Sequence, residues 1–312
     1  MPIASDRCNA CDGALAPRYA SVLDPQTRET FAIHACTACG LGHTSPQPED
    51  LSRYYGAAYH GGRHGFTESY CMARRMRLVE QTFPLGEGRK LLDIGCGDGT
   101  FMLSAQAKGW SVSGTEMNPD RARDAGLSVV QSLEQARSSG PFDCITLWQS
   151  LEHVRDPRAT LTEAVRLLSP EGRVFVAVPD AQGLQARLFG ARWFHLDVPR
   201  HLFHFGERSL SGLLAAVGLE VTATWHQELE IDLFGWTQSA LNAVMPEPNV
   251  LFYRLTGRHV SAGSLQVAAS FVLGAAVTAV ALPAVPLGTA TGKGGTLVMA
   301  AKRRDRFAER PA

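Results

Sequence analysis

Apolar and polar positions along the chain alternate between strand-like and helix-like periods. Leu91, Leu92 and Ile94 form a short apolar run that predicts a buried parallel strand. The chain then turns through Gly95-Cys96-Gly97-Asp98-Gly99 and enters a helical run over residues 100–108. Further strands are expected over residues 110–115, 127–130, 142–147, 173–178, 219–225 and 295–301. Helices are expected over 66–83, 159–168 and 209–217, with Asp156-Pro157 opening the second and Ser169-Pro170-Glu171-Gly172 stopping it. Two more strands fit near 19–23 and 30–35, and residues 44–49 read as a linker. Tyr54, Tyr55 and Tyr59 follow, then a loose glycine-rich stretch over 61–65. These tyrosines either fold over a bound ligand or pack the N-terminal segment onto the rest.

One interval departs from this pattern. About 65 residues separate the strands at 219–225 and 295–301, far more than a hairpin loop. Residues 260–291 carry no charged residue, and 231–294 read as an apolar helical insertion. Pro283 and Pro286 interrupt the run, and the flanking strands belong to one sheet, so a single membrane span is not expected. Three readings stay open for residues 260–288: a buried helix over the substrate site, an element lying on a membrane surface, or a homodimer interface. Lys302, Arg303, Arg304 and Arg306 just afterwards face either lipid headgroups or solvent.

Composition narrows the picture further. The formal net charge is zero over 312 residues, which argues against nucleic acid as a partner. The N-terminus has no apolar run of a secretory signal, and seven cysteines without one point to a reducing cytoplasm and to metal binding. Cys8-x-x-Cys11 and Cys36-x-x-Cys39 form two pairs about 24 residues apart, each followed closely by a glycine, Gly13 or Gly40. Two such pairs supply four thiolates in a tetrahedron around Zn²⁺. Four cysteines close the coordination shell, so this zinc is expected to fold the segment and not to do chemistry.

The glycine turn carries the candidate chemistry. It reads GxGxG where a dinucleotide loop reads GxGxxG, and no Lys-Ser/Thr follows as in a phosphate-binding P-loop. Asp93 places a carboxylate at the strand's C-terminal end, suited to a cationic group such as an amino acid's ammonium. With Asp93, Gly95, Gly97 and Gly99 the segment resembles the first motif of the class I S-adenosylmethionine (SAM) methyltransferases. The resemblance covers residues 51–303 in motif order. It implies an α/β fold, a doubly wound, Rossmann-like seven-stranded sheet with the last strand antiparallel. The implied division is a zinc-ribbon-like segment (1–48), a SAM-binding core (49–230), the helical insertion (231–294), and a last strand with a basic tail (295–312).

The same resemblance assigns SAM to Asp93, Gly95, Cys96, Gly97 and Gly99. Glu116, about 20 residues past the turn, is placed to accept hydrogen bonds from both ribose hydroxyls. Met117 is expected against the adenine, with Ser132 or a backbone group at Ser132 and Leu133 meeting its amino group. Trp148 and Gln149 complete the set. The segment from Leu151 to Pro157 is similar to that of the branch containing quinone O-methyltransferases. Some of those bind a divalent cation; here Gln149 stands at one ligand position, leaving Glu152 and His153. His153, His195 and His201 are the candidate bases, in that order, the last two on an aromatic loop with Arg200. His153 alternatively packs at a helix start, and Arg200 and His201 alternatively hold their loop together.

The expected activity is O-methylation of a small or lipid-like hydroxylated acceptor. Cysteine ribbons also precede sugar C-methyltransferases, so methylation of a nucleotide-linked sugar stays open. So does a non-catalytic SAM-binding scaffold. A nicotinamide-dependent oxidoreductase is disfavoured by the GxGxG spacing.

Overall fold

The computed structural model describes residues 7–55, 67–82, 88–226, 228–259 and 261–304. The N-terminal segment is a meander of β1 (Leu15–Leu23), β2 (Thr30–Cys36) and β3 (Gly42–Ser45). β1 and β2 pair antiparallel from Leu15↔Cys36 to Leu23↔Thr30. β3 takes the first two residues of the expected linker, Thr44 and Ser45. The reason is non-local: β3 pairs with a two-residue strand at Phe203–His204, and Thr44 Oγ1 donates to His201 O at 2.6 Å. Tyr54 is buried edge-on to Phe31, so it packs the N-terminal segment. Tyr59 and the glycines at 61–65 lie outside the described residues.

The α/β part begins with α1 (Glu68–Glu80), β4 (Lys90–Ile94), α2 (Thr100–Gln106) and β5 (Ser111–Thr115). It continues through α3 (Asp120–Asp124), β6 (Val129–Val130), α4 (Leu133–Ala136) and β7 (Phe142–Trp148). α5 (Pro157–Leu167) starts where expected: Asp156 accepts the Ala159 N–H at 2.8 Å, and Pro157 sits in the first turn. β8 (Leu168–Pro179) is longer than its apolar run. Its partners in β7 jump from Phe142↔Leu168 to Cys144↔Arg173, so Ser169-Pro170-Glu171-Gly172 forms a bulge within the strand.

Beyond it come α6 (Leu184–Phe189), β9 (Phe203–His204), α7 (Glu207–Ala216) and β10 (Leu219–Trp225). The insertion folds as α8 (Leu229–Val244), α9 (Val250–Leu255), α10 (Ser264–Ala281) and α11 (Ala284–Ala290), and β11 (Thr296–Arg303) ends the series. The larger sheet runs β10-β11-β8-β7-β4-β5-β6. β4 is parallel to both β5 and β7. The Arg304 N–H bonds Gly218 O, and Thr222 Oγ1 donates to Ala300 O, a pairing in which β11 runs antiparallel to β10. The doubly wound seven-stranded α/β fold is therefore present, with its last strand reversed.

Contacts group the described residues into two compact units. One draws on stretches 7–55, 179–209 and 225–297, the other on 67–178, 210–224 and 298–304. In the first, Val22, Phe31, Ile33 and Tyr54 pack with Ala186, Trp193, Leu196 and Val198. Arg200 is buried there and donates to Asp24 at 3.1 Å and Asp197 at 2.8 Å. It is thus a structural cation. Burial of a charge without partners is costly, so this cluster fixes the loop 192–205 on β1 and β2. In the second unit, Arg303 donates to the carbonyls of Val165 and Leu168, which removes it from the expected basic tail; Arg306 lies outside the described residues.

α10 is not the buried helix that one reading of the insertion required. Of its length, 17% is buried; by length and composition it suffices to cross a membrane, with a mean hydropathy of 1.8. Replacing Arg200 with Leu leaves Asp24 and Asp197 as uncompensated charges. Chemical denaturation should show a loss of about 3–5 kcal/mol; an unchanged midpoint would remove the clamp from the account.

Candidate active site

The central strand β4 delivers Asp93 to its C-terminal end with the side chain enclosed. Thr146 Oγ1, on neighbouring β7, donates to Asp93 Oδ1 at 2.6 Å. Burial raises the Asp93 carboxyl to about 6, although the Thr146 hydrogen bond and the Arg75 charge pull it down and Glu116 adds a push upward. Arg75, on α1, also lies over the Trp148 ring at 5.2 Å. An enclosed acid whose ionisation is held back gains from a cation placed beside it.

The turn after β4 has Gly95, Gly97 and Gly99 all at positive φ (74°, 58° and 83°). A Cβ on Gly95 would lie 2.7 Å from Ser150 Cβ, and one on Gly99 would lie 2.2 Å from Leu127 Cδ1. A Cβ on Gly97 would meet nothing within 4 Å. The outer glycines are therefore wedged against protein, while the middle one borders open space. The Gly95 and Cys96 N–H groups both bond Thr115 O, at 2.8 and 3.1 Å. The Gly97 N–H bonds Glu116 Oε2 at 3.0 Å, and Glu116 Oε1 accepts the Met117 N–H at 2.7 Å. Glu116 is thus tied to the turn at the end of β5, with oxygen lone pairs left for a ligand.

The remaining sequence-derived residues divide. Trp148 is buried edge-on to Phe101, and Gln149 holds a positive φ with its N–H on Ala177 O. Met117 is exposed. Ser132 Oγ caps α4 by accepting the Gln135 N–H at 3.4 Å, and Leu133 opens that helix. Thr146, Ser150 and Arg75 were not singled out from sequence. Ser150 Oγ donates to Ile94 O at 2.8 Å and so locks the base of the turn. Its signal was present in the Trp148–Glu152 segment, but nothing local shows that it reaches β4.

His153 lies in a short helical turn at the end of β7, its N–H on Ser150 O. His195 and His201 lie together in the other unit. Burial, then the His201 charge, lowers His195 to about 4; Trp193, Phe194 and α8 surround its ring, with Nε2 at 3.3 Å from Ile231 O. Such a ring is a weak base at neutral pH. His201 Nδ1 lies 2.8 Å from His195 O, which fixes the Nδ1–H tautomer and turns the Nε2 lone pair outward.

The four cysteines meet in one place, their sulfurs within 4.8 Å of one another. Cys8 and Cys39 sulfurs are 3.6 Å apart, Cys11 and Cys36 sulfurs 3.5 Å. Zinc–sulfur bonds of about 2.3 Å give a tetrahedron with edges of about 3.8 Å, so the donor set fits structural Zn²⁺. A Cβ at Gly13 would lie 2.9 Å from Cys36 Sγ, which explains the glycine after the first pair.

Comparison with known proteins follows this geometry. Residues 63–224 match the family model described as "Methyltransferase domain". A "Ubiquinone biosynthesis O-methyltransferase" of Xanthomonas oryzae pv. oryzae (strain PXO99A) is 33% identical over 145 residues, covering 41% of this chain and 60% of that protein. The protein of the same description from Pectobacterium atrosepticum is 32% identical over 127 residues, covering 36% and 53%. The match thus spans less than two thirds of these relatives' length. A solved structure, a putative sarcosine dimethylglycine methyltransferase from Galdieria sulphuraria, has the same fold. It aligns with a TM-score of 0.50 at 16% identity, covering 82% of this chain and 99% of that one.

Elemental analysis of freshly purified protein should find about one zinc per chain. Cys36→Ser should lose the metal and lower the melting temperature; metal-free wild-type protein with an unchanged melting temperature would refute the assignment.

Proposed function

Since this chain belongs to the methyltransferase domain family, we propose that it transfers a methyl group from SAM to a hydroxyl of a small or lipid-like acceptor. The observation that carries the reading is the open face of Gly97 between Asp93 and Glu116. The outer glycines shape the bend, and the middle one leaves room for a ligand against the backbone. Asp93 receives the ammonium of the amino-acid part, and Glu116 the ribose hydroxyls. Met117, exposed beyond Glu116, covers one side of the adenine, and the backbone at Ser132 and Leu133 meets its amino group, since the Ser132 hydroxyl already caps α4. Trp148 and Gln149 border the site from β7.

When bound, SAM supplies an electrophilic methyl on a sulfonium. The chain's own part is to aim the acceptor oxygen, exclude water and take the proton. His201 suits the last task best: its Nδ1 is held by His195 O, so Nε2 is free to accept. His153 is the second candidate. His195, enclosed and depressed, orients His201 through its carbonyl. The O-methyl preference rests on the printed description of the relatives, and the protein works in the cytoplasm.

Titration calorimetry with S-adenosylhomocysteine tests the site. Its ammonium favours ionised Asp93, so affinity should be full above about pH 6 and fall about tenfold per pH unit below it. Asp93→Asn should weaken binding at pH 7.5 by about tenfold or more and flatten the profile. Unchanged affinity in this variant would contradict the assigned role. His201→Gln should lower turnover on hydroxylated quinones about a hundredfold while leaving cofactor affinity intact; full turnover would pass the base role to His153.

A further inference from the structure

α10 has its small residues inward and its large apolar residues outward, the reverse of a helix in a water-soluble core. Ser270, Gly274 and Ala281 form the buried stripe, and a Cβ at Gly274 would lie 2.7 Å from Leu251 of α9. Leu265, Phe271, Val272, Leu273 and Val280 are exposed, with Leu265 83%, Val272 71% and Val280 77% accessible. At 3.6 residues per turn the exposed positions cover roughly 200° of the helix circumference, and every one of them is apolar. The polar side chains turn the other way. Gln266 donates to Glu247 O, Ser270 to Val267 O, and Thr278 pairs with Thr237 at 2.8 Å. Close packing through small residues with polar groups satisfied on the protein side is the habit of helices bathed in lipid.

We infer that α10 and α11 seat this protein on the surface of an anionic lipid bilayer. Three observations select lipid over a second copy of the chain. A helix packed against one partner hides a stripe of about 100°, half the width exposed here. From residue 248 to residue 301 the chain has Arg254, Arg258 and Lys293 and no acidic residue, within a protein of zero net charge. Arg254 and Lys293, flanking the apolar helices, are exposed, as anionic headgroups require.

The helices do not cross the bilayer. Residues 226 and 294, where the insertion leaves and returns, touch: a Cβ on Gly294 would lie 1.5 Å from His226 O. Both ends therefore stay on one side, and α10 lies in a single leaflet. This surface is independent of methyl transfer, though it brings a lipid-like acceptor within reach.

Vesicle flotation of the full chain tests the inference. Wild-type protein should float with mixed phosphatidylcholine–phosphatidylglycerol vesicles, and floating should weaken with added salt and with phosphatidylcholine alone. The double variant Val272→Glu/Val280→Glu should float about tenfold less or worse, with unchanged circular dichroism and unchanged S-adenosylhomocysteine affinity. Wild-type protein that stays at the bottom of every gradient would overturn the proposal. So would a double variant that floats as well as wild type. A wild-type dimer by light scattering that the variant turns to monomer, with no flotation, would assign the face to a second copy instead.

Discussion

A carboxylate enclosed at the tip of the central strand is the constraint on which the α/β unit depends. Asp93 lies between two parallel neighbours, one supplying Thr146 and the other ending in Glu116. Removing a carboxylate from water is costly, and here burial outweighs the hydrogen bond and the Arg75 charge, so the acid is held back from ionising. The glycine turn that follows keeps other side chains off the surface beside it. A site built this way gains more from a bound cation than a solvated carboxylate does, because the ligand relieves a cost already present in the fold.

The second unit is organised by different chemistry. Four thiolates around zinc hold the ends of a small meander whose core alone is slight. That meander offers β3 to β9, and Arg200 ties the preceding loop to Asp24. The consequence reaches His201, which sits between Arg200 and β9 and takes its tautomer from a backbone carbonyl of the same loop. Metal, buried ion pair and histidine orientation thus form one chain of dependence, in which the zinc acts on the site without touching it.

What the sequence made legible follows from the range of each interaction. The β4 strand, its glycine turn and the cysteine pairs were readable because their signals are local: an apolar run, a backbone conformation, a fixed spacing. Thr146 and Ser150 were not, since their roles come from strands and loops more than fifty residues away. β3 was read as linker because its residues favour a turn and only its partner strand recruits them. The Ser169–Gly172 signal was real but was absorbed as a bulge. Composition marked α10 as apolar, yet which of its faces met protein depended on where α8 and α9 packed, and that placement exposed the larger side chains.

The most direct measurement is a crystal structure of the protein soaked in S-adenosylhomocysteine. The account predicts the nucleoside lying over Gly97, its ammonium beside Asp93 and its ribose hydroxyls on Glu116. A turn that stays empty at saturating ligand, or a ligand bound elsewhere with Asp93 facing only protein, would contradict it.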